Sequence, residues 1–165
     1  MAPRKSKFTK QVLIVEDDAK DFELITQALE DAGWTFKARR VDDQVQLDEE
    51  MLRLAPDVVL CDHGSAKWNS FAILDQVRAF EPSLPFVVVS GSIDGETQTA
   101  LLSRGADGCI SKDHLDELAP AMRHVMDVHA ERQQQKVDEI RRNLVAFVPL
   151  RRSRVSRPPQ QAWAG

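Results

Sequence analysis

The sequence predicts an α/β domain in which a parallel β-sheet carries helices on both of its faces. Short runs rich in β-branched residues, apolar on both faces, alternate with segments of helical periodicity as far as about residue 128. The alternation repeats five times, and parallel neighbours in one sheet are joined by right-handed crossovers that place a helix against it. Several of the apolar runs also end abruptly in acidic or hydroxyl residues, at the strand ends where such sheets hold their ligands.

The first strand is "QVLIVE" at 11–16, too brief for a helix and apolar on both sides. From Asp18 the pattern becomes helical, with Phe22, Ile25, Ala28 and Leu29 on one face. Asp18 serves as the N-cap, Asp21 as a first-turn acid, and Gly33 as the left-handed terminator. "TFKARRV" at 35–41 is mixed and fits an edge strand. In "DDQVQLDEEMLRL", Val45, Leu47, Met51, Leu52 and Leu54 lie on a helical face that Pro56 ends. "DVVLCD" at 57–62 is the third strand, and Phe71, Ile73, Leu74, Val77 and Phe80 define the third helix. "FVVVSG" at 86–91 precedes a helix capped by Asp94 and stopped at Gly105. "ADGCISK" is the fifth strand, and the last helix opens near Asp113 with Leu115, Leu118, Met122, Val125 and Met126 inward.

Charge divides the chain further. Residues 1–10 carry four basic and no acidic side chains, residues 11–130 ten basic against twenty-three acidic, and residues 131–165 eight basic against three acidic. An acidic body disfavours nucleic-acid binding by the folded domain. No run is apolar and long enough for a membrane span, and no apolar segment follows the basic start, so a cytoplasmic protein without a membrane role is expected. The two cysteines, Cys61 and Cys109, lie in apolar strands and read as buried free thiols; the four histidines show no metal-ligand spacing. Beyond the body, Met126, Ala130, Gln133, Val137, Ile140, Leu144 and Phe147 follow a 4-3-4-3-4-3 spacing, a coiled-coil seam that Pro149 stops. The expected organisation is a basic arm over 1–10, the α/β domain over 11–128, a helical extension over 129–148 that can pair two copies as a homodimer, and a disordered basic tail over 149–165.

In a doubly wound sheet, ligands gather at the carboxyl ends of the central strands. There the sequence places Glu16, Asp17 and Asp18 after the first strand, Asp62 at the end of the third, Ser90 and Gly91 after the fourth and Lys112 after the fifth. Carboxylates crowded together repel unless one is protonated or a cation lies between them, and hard oxygen ligands suit Mg²⁺. With that charge neutralised, one carboxylate can attack a phosphoryl group, and an ammonium and a hydroxyl can hold the resulting aspartyl phosphate.

The motifs "LIVEDD", "VVLCD", "FVVVSG" and "CISKD", in this order and spacing over residues 11–128, resemble the receiver domain of two-component response regulators, of the single-domain chemotaxis-regulator type. The resemblance implies a flavodoxin-like sheet in the order 2-1-3-4-5. It implies that Asp62 accepts a phosphoryl group from a histidine kinase or phosphotransfer protein. Asp17, Asp62 and the backbone carbonyl of Gly64 would bind Mg²⁺, with Glu16 acting through a water; Ser90 and Lys112 would hold the phosphoryl group. The implied protein is a phosphoacceptor rather than a metabolic enzyme. Residues 129–165 are too few for a winged-helix DNA-binding domain, so output is expected through contact with a downstream protein. The alternative is a degenerate receiver, a binding module that works without phosphorylation.

Three departures from the family bear on switching. Ser65, Ala66 and Ser70 stand where receivers usually carry Met, Pro and Gly, so loop length is kept and proline rigidity is lost. Cys109 occupies the place of the usual Tyr or Phe three residues before the lysine, and the chain has no tyrosine. Asp113 replaces the proline that commonly follows the lysine.

Overall fold

A computed structural model describes residues 9–147, and its centre is a five-stranded parallel sheet in the order β2-β1-β3-β4-β5. The strands are β1 (Lys10–Val15), β2 (Phe36–Val41), β3 (Val58–Asp62), β4 (Phe86–Ser90) and β5 (Gly108–Ser111). All five residues of β3 and of β4 are buried, which is why those segments read as unbroken apolar runs. Edge strand β2 instead alternates half-buried and exposed positions up to Val41.

The helices are α1 (Ala19–Asp31), α2 (Leu47–Leu54), α3 (Ser70–Phe80), α4 (Gly95–Ser103) and α5 (Leu118–Phe147). Alternation along the strands sends Val12, Ile14, Leu60 and Val89 toward α1 and α5, where Ile25, Leu29, Leu118 and Met122 cover them. The intervening residues Leu13, Val15, Val59 and Val88 face α2, α3 and α4 through Met51, Ile73, Leu74 and Leu101. Each fully buried aliphatic side chain contributes about 1.5–3 kcal/mol. The expected caps form: Asp18 accepts from the Lys20 amide at 2.7 Å and Asp94 from the Thr97 amide at 2.8 Å, while Gly33 takes φ +78° just past α1.

Two expectations need correction. Val45 and Leu52, placed on the core face of the second helix, are 85% and 72% exposed. A 3₁₀ turn at Gln44–Gln46, capped by the Asp43 carboxylate on the Val45 amide, precedes α2, whose inward residues are Leu47 and Met51, as expected, together with Glu50. Glu50 tolerates burial because Arg39 of β2 meets it at 2.9 Å. The last helix also opens later than Asp113: Lys112–Glu117 is a 3₁₀ segment capped by Ser111, non-helical at His114, and α-geometry begins at Leu118 with Pro120 in the first turn. Both cysteines are free, Cys61 buried and Cys109 only half-buried, since β5 is an edge strand. Val88 of β4 lies in register between them.

By its contacts the chain divides after Arg132, and residues 133–147 of α5 form a separate unit whose Val137, Ile140, Leu144 and Phe147 are exposed. Met126, the first member of the expected seam, packs on the α1/α5 core of the body. The expected disordered tail and most of the basic arm lie outside the described residues. No helix among the described residues is long and apolar enough to cross a membrane.

At the amino-terminal edge of the sheet, Arg78 of α3 ties two connections together, α3–β4 and α4–β5. Its guanidinium donates to the carbonyls of Leu84 at 2.5 Å and Gly105 at 2.6 Å and to Asp107 Oδ2 at 3.0 Å. Asp107 also accepts from the Phe86 amide and lies 3.1 Å from His129 Nε2 of α5. Arg78→Ala should therefore cost about 2–4 kcal/mol, because it takes the arginine charge from a half-buried carboxylate and a donor from two carbonyls. Urea unfolding checks this against Leu52→Ala, which should stay within about 0.5 kcal/mol of wild type.

Candidate functional site

The register of the parallel strands assembles the acidic end of the sheet. Val15 pairs with Cys61, so Glu16 emerges beside Asp62; Asp62 pairs with Val89, and Ser90 with Ser111, so Ser90 and Lys112 follow at the same edge. Glu16, Asp17 and Asp62 each bring one carboxylate oxygen within 4.8 Å of the others. Hard, anionic oxygens this close suit a small divalent cation, and the donor set fits one.

Burial sets the electrostatics. Glu16 is 1% exposed and Asp62 8%, and this burial raises both carboxyl pKa values, with the hydrogen bonds from Lys112 opposing the rise. The Lys112 ammonium reaches Glu16 Oε2 at 2.8 Å, Asp62 Oδ1 at 2.7 Å and Asp21 Oδ2 at 2.5 Å. Burial works against that ammonium, but its three carboxylate partners outweigh burial and hold it above the ordinary lysine range. Glu16 Oε1 in turn accepts from the Asp18 amide at 3.0 Å, which fixes the acidic turn.

Ser90 is buried at the end of β4, and its hydroxyl contacts the carbonyls of His63 at 3.2 Å and Ser92 at 2.9 Å. Gly64 in the β3–α3 loop takes φ +105°, a conformation that favours glycine. That loop is tied by its own side chains. The Trp68 indole, 7% exposed, packs into the core and donates to the Asp62 carbonyl at 3.3 Å. Ser65 Oγ accepts from the Lys67 amide, His63 Nδ1 lies 2.7 Å from Ser70 Oγ, and Asn69 caps α3. The loop therefore replaces proline stiffness with an aromatic anchor.

Sequence reasoning brought Glu16, Asp17, Asp62, Ser90 and Lys112 to one end of the sheet; the structure joins Glu16, Asp17, Asp62 and Lys112 by contact or close approach, while Ser90 lies at the end of β4 with its hydroxyl on the His63 and Ser92 carbonyls. It left Asp21 as a helix-terminus acid, whereas the structure puts that carboxylate on Lys112. It also passed over Arg40, whose guanidinium donates to the carbonyls of Glu16 at 3.3 Å and Asp17 at 3.2 Å and pairs with Asp42. Only the pairing of β1 with β2, Ile14 opposite Arg40, would have placed it there.

Residues 12–141 match the model of the response regulator receiver domain. The chain belongs to the receiver domain family of response regulators. Among curated proteins it is 26% identical over 125 residues to the transcriptional regulatory protein ZraR of Escherichia coli K12, a match covering 73% of this chain and 28% of ZraR. It is 26% identical over 117 residues to the transcriptional regulatory protein PhoP of the same organism, covering 70% of this chain and 52% of PhoP. The chain thus spans about half or less of the curated relatives it matches. In fold it is similar to a putative response regulator from Chloroflexus aurantiacus, with TM-score 0.65, 21% identity, and coverage of 73% of this chain and 99% of that one. A CheY-like receiver from Methanospirillum hungatei gives TM-score 0.65 and 20% identity over 76% of this chain and 99% of that one. The flavodoxin-like order expected from the resemblance is the order observed.

Within this receiver fold, the raised pKa of Asp62 means its ionised form is held less well in the folded chain than in the unfolded one. Asp62→Asn removes that charge and keeps the shape. Its thermal midpoint, measured without divalent cation near neutral pH, should rise; a fall would contradict the assignment of burial as the dominant effect.

Proposed function

We propose that this receiver takes a phosphoryl group on Asp62 from a histidine kinase or phosphotransfer protein and signals through altered protein contacts. The observation that carries this reading is the buried Asp62 carboxylate at a strand end, with Lys112 on one of its oxygens and two further acids beside it. A carboxylate oxygen of Asp62 forms the new bond to phosphorus while the donor's bond to phosphorus breaks. Lys112 would give hydrogen bonds to the phosphoryl oxygens, and the Ser90 hydroxyl would leave its carbonyl partners for one of them. Asp17, Asp62 and the Gly64 carbonyl would hold Mg²⁺, with Glu16 acting indirectly, and the ion would supply positive charge against the incoming phosphoryl group. The protein is then a cytoplasmic phosphoacceptor, with no chemistry beyond its own phosphorylation and dephosphorylation.

Incubation with a small phosphodonor and Mg²⁺ tests it by intact mass. Wild type should gain one phosphoryl group and Asp62→Asn none. Wild type staying unmodified while a control receiver reacts would leave the phosphorylation-independent binding module as the better reading.

For the extension we infer pairing with a second copy through Val137, Ile140, Leu144 and Phe147, which are 48–88% exposed at coiled-coil spacing. Lys136 and Arg141 flank that seam, so a parallel pair sets like charges together and should tighten as salt rises. Sedimentation of the full chain should show dimers that Val137→Glu with Ile140→Glu abolishes; identical monomers in both would remove the seam.

A further inference from the structure

Lys112 has three N–H bonds and three carboxylate partners, and the partners are not equivalent. Glu16 and Asp62 belong, with Asp17, to the cluster whose oxygens converge within 4.8 Å; Asp21 stands outside it, on the first turn of α1. The Asp21 side chain is 33% exposed, against 1% for Glu16 and 8% for Asp62, so it is the solvent-side arm of the group. An ammonium and a divalent cation compete for the charge of the same carboxylates. A cation held by Asp62 directly and by Glu16 through a water weakens two of the three bonds that hold Lys112, and a half-buried ammonium without a counter-charge is costly.

We propose that Asp21 is a positioning residue that retains the Lys112 ammonium on the α1 side of the site while a divalent cation occupies the Glu16–Asp17–Asp62 cluster. The inference rests on the proposed Mg²⁺ site and adds a residue to it. Asp21 does two things there. It offers Lys112 a partner that the cation does not need, and it cancels part of the repulsion between the two positive charges. A carboxylate serving only the α1 helix terminus would do neither, because its effect would not depend on Lys112.

The test is calorimetric titration of Mg²⁺ alone into the full chain, with thermal melts to establish that each variant is folded. Asp21→Asn should weaken Mg²⁺ binding about 3- to 10-fold when Lys112 is present, and less than about twofold in a Lys112→Met background. Glu23→Gln removes an acid from the exposed part of the same helix and should change binding less than about twofold. Equal losses from Asp21→Asn in both backgrounds, or a Glu23→Gln loss as large as that of Asp21→Asn, would overturn the proposal and reduce Asp21 to part of the general acidic field. Wild type that binds no Mg²⁺ would instead overturn the metal site itself, so the two failures are told apart.

Discussion

A parallel sheet directs all its carboxyl ends to one edge, and in this chain that edge collects more negative charge than it can hold without help. Glu16 and Asp62 are both buried and both raised in pKa, so each is costly to keep ionised. Lys112 answers that cost by bonding to both and to Asp21. The ammonium is the interaction on which the rest of the site depends. It fixes how β5 meets β1 and β3, whose strands it does not adjoin, and it leaves a cluster that is neutralised only in part. Partial neutralisation is the useful condition: an acid group fully satisfied by protein cations would have no attraction left for a divalent ion.

The same edge shows how a loop can change residues and keep its task. Without proline, the β3–α3 connection draws order from Trp68, which buries its ring in the core on the α2/α3/α4 face and bonds to the Asp62 carbonyl. Because that carbonyl belongs to the proposed acceptor, the anchor and the reactive side chain share one residue's backbone. Arg40 does the corresponding work on the β1–α1 turn, through the carbonyls of the acidic pair.

Much of this was legible in the sequence, for a physical reason. Strands buried on both faces must be apolar throughout, so β3 and β4 announce themselves, and the polar residue that breaks each run is thereby marked as lying at the sheet's edge. Asp62 and Ser90 were visible on those grounds alone. What was not legible depends on side-chain reach across elements that only topology brings together. Arg78 meets Gly105 and Asp107 nearly thirty positions away, and nothing in an amphipathic α3 distinguishes it from a solvated arginine. Asp21 reads as an ordinary first-turn acid because its partner lies across the sheet. Val45 and Leu52 misled for the opposite reason: their spacing was helical, but a short 3₁₀ turn rotated the face before the helix began.

The absent aromatic changes where a signal can travel. Cys109 occupies its place with a smaller, half-buried side chain packed beside the α3/α4 core, so it has no ring to swing. Ser90 offers another connection. Its single hydroxyl hydrogen serves the carbonyls of His63 and Ser92, one in the β3–α3 loop and one in the β4–α4 loop. Any ligand that takes that hydrogen breaks its contact with both loops. Ser90 thus joins the backbones of two loops by a contact that involves no aromatic ring.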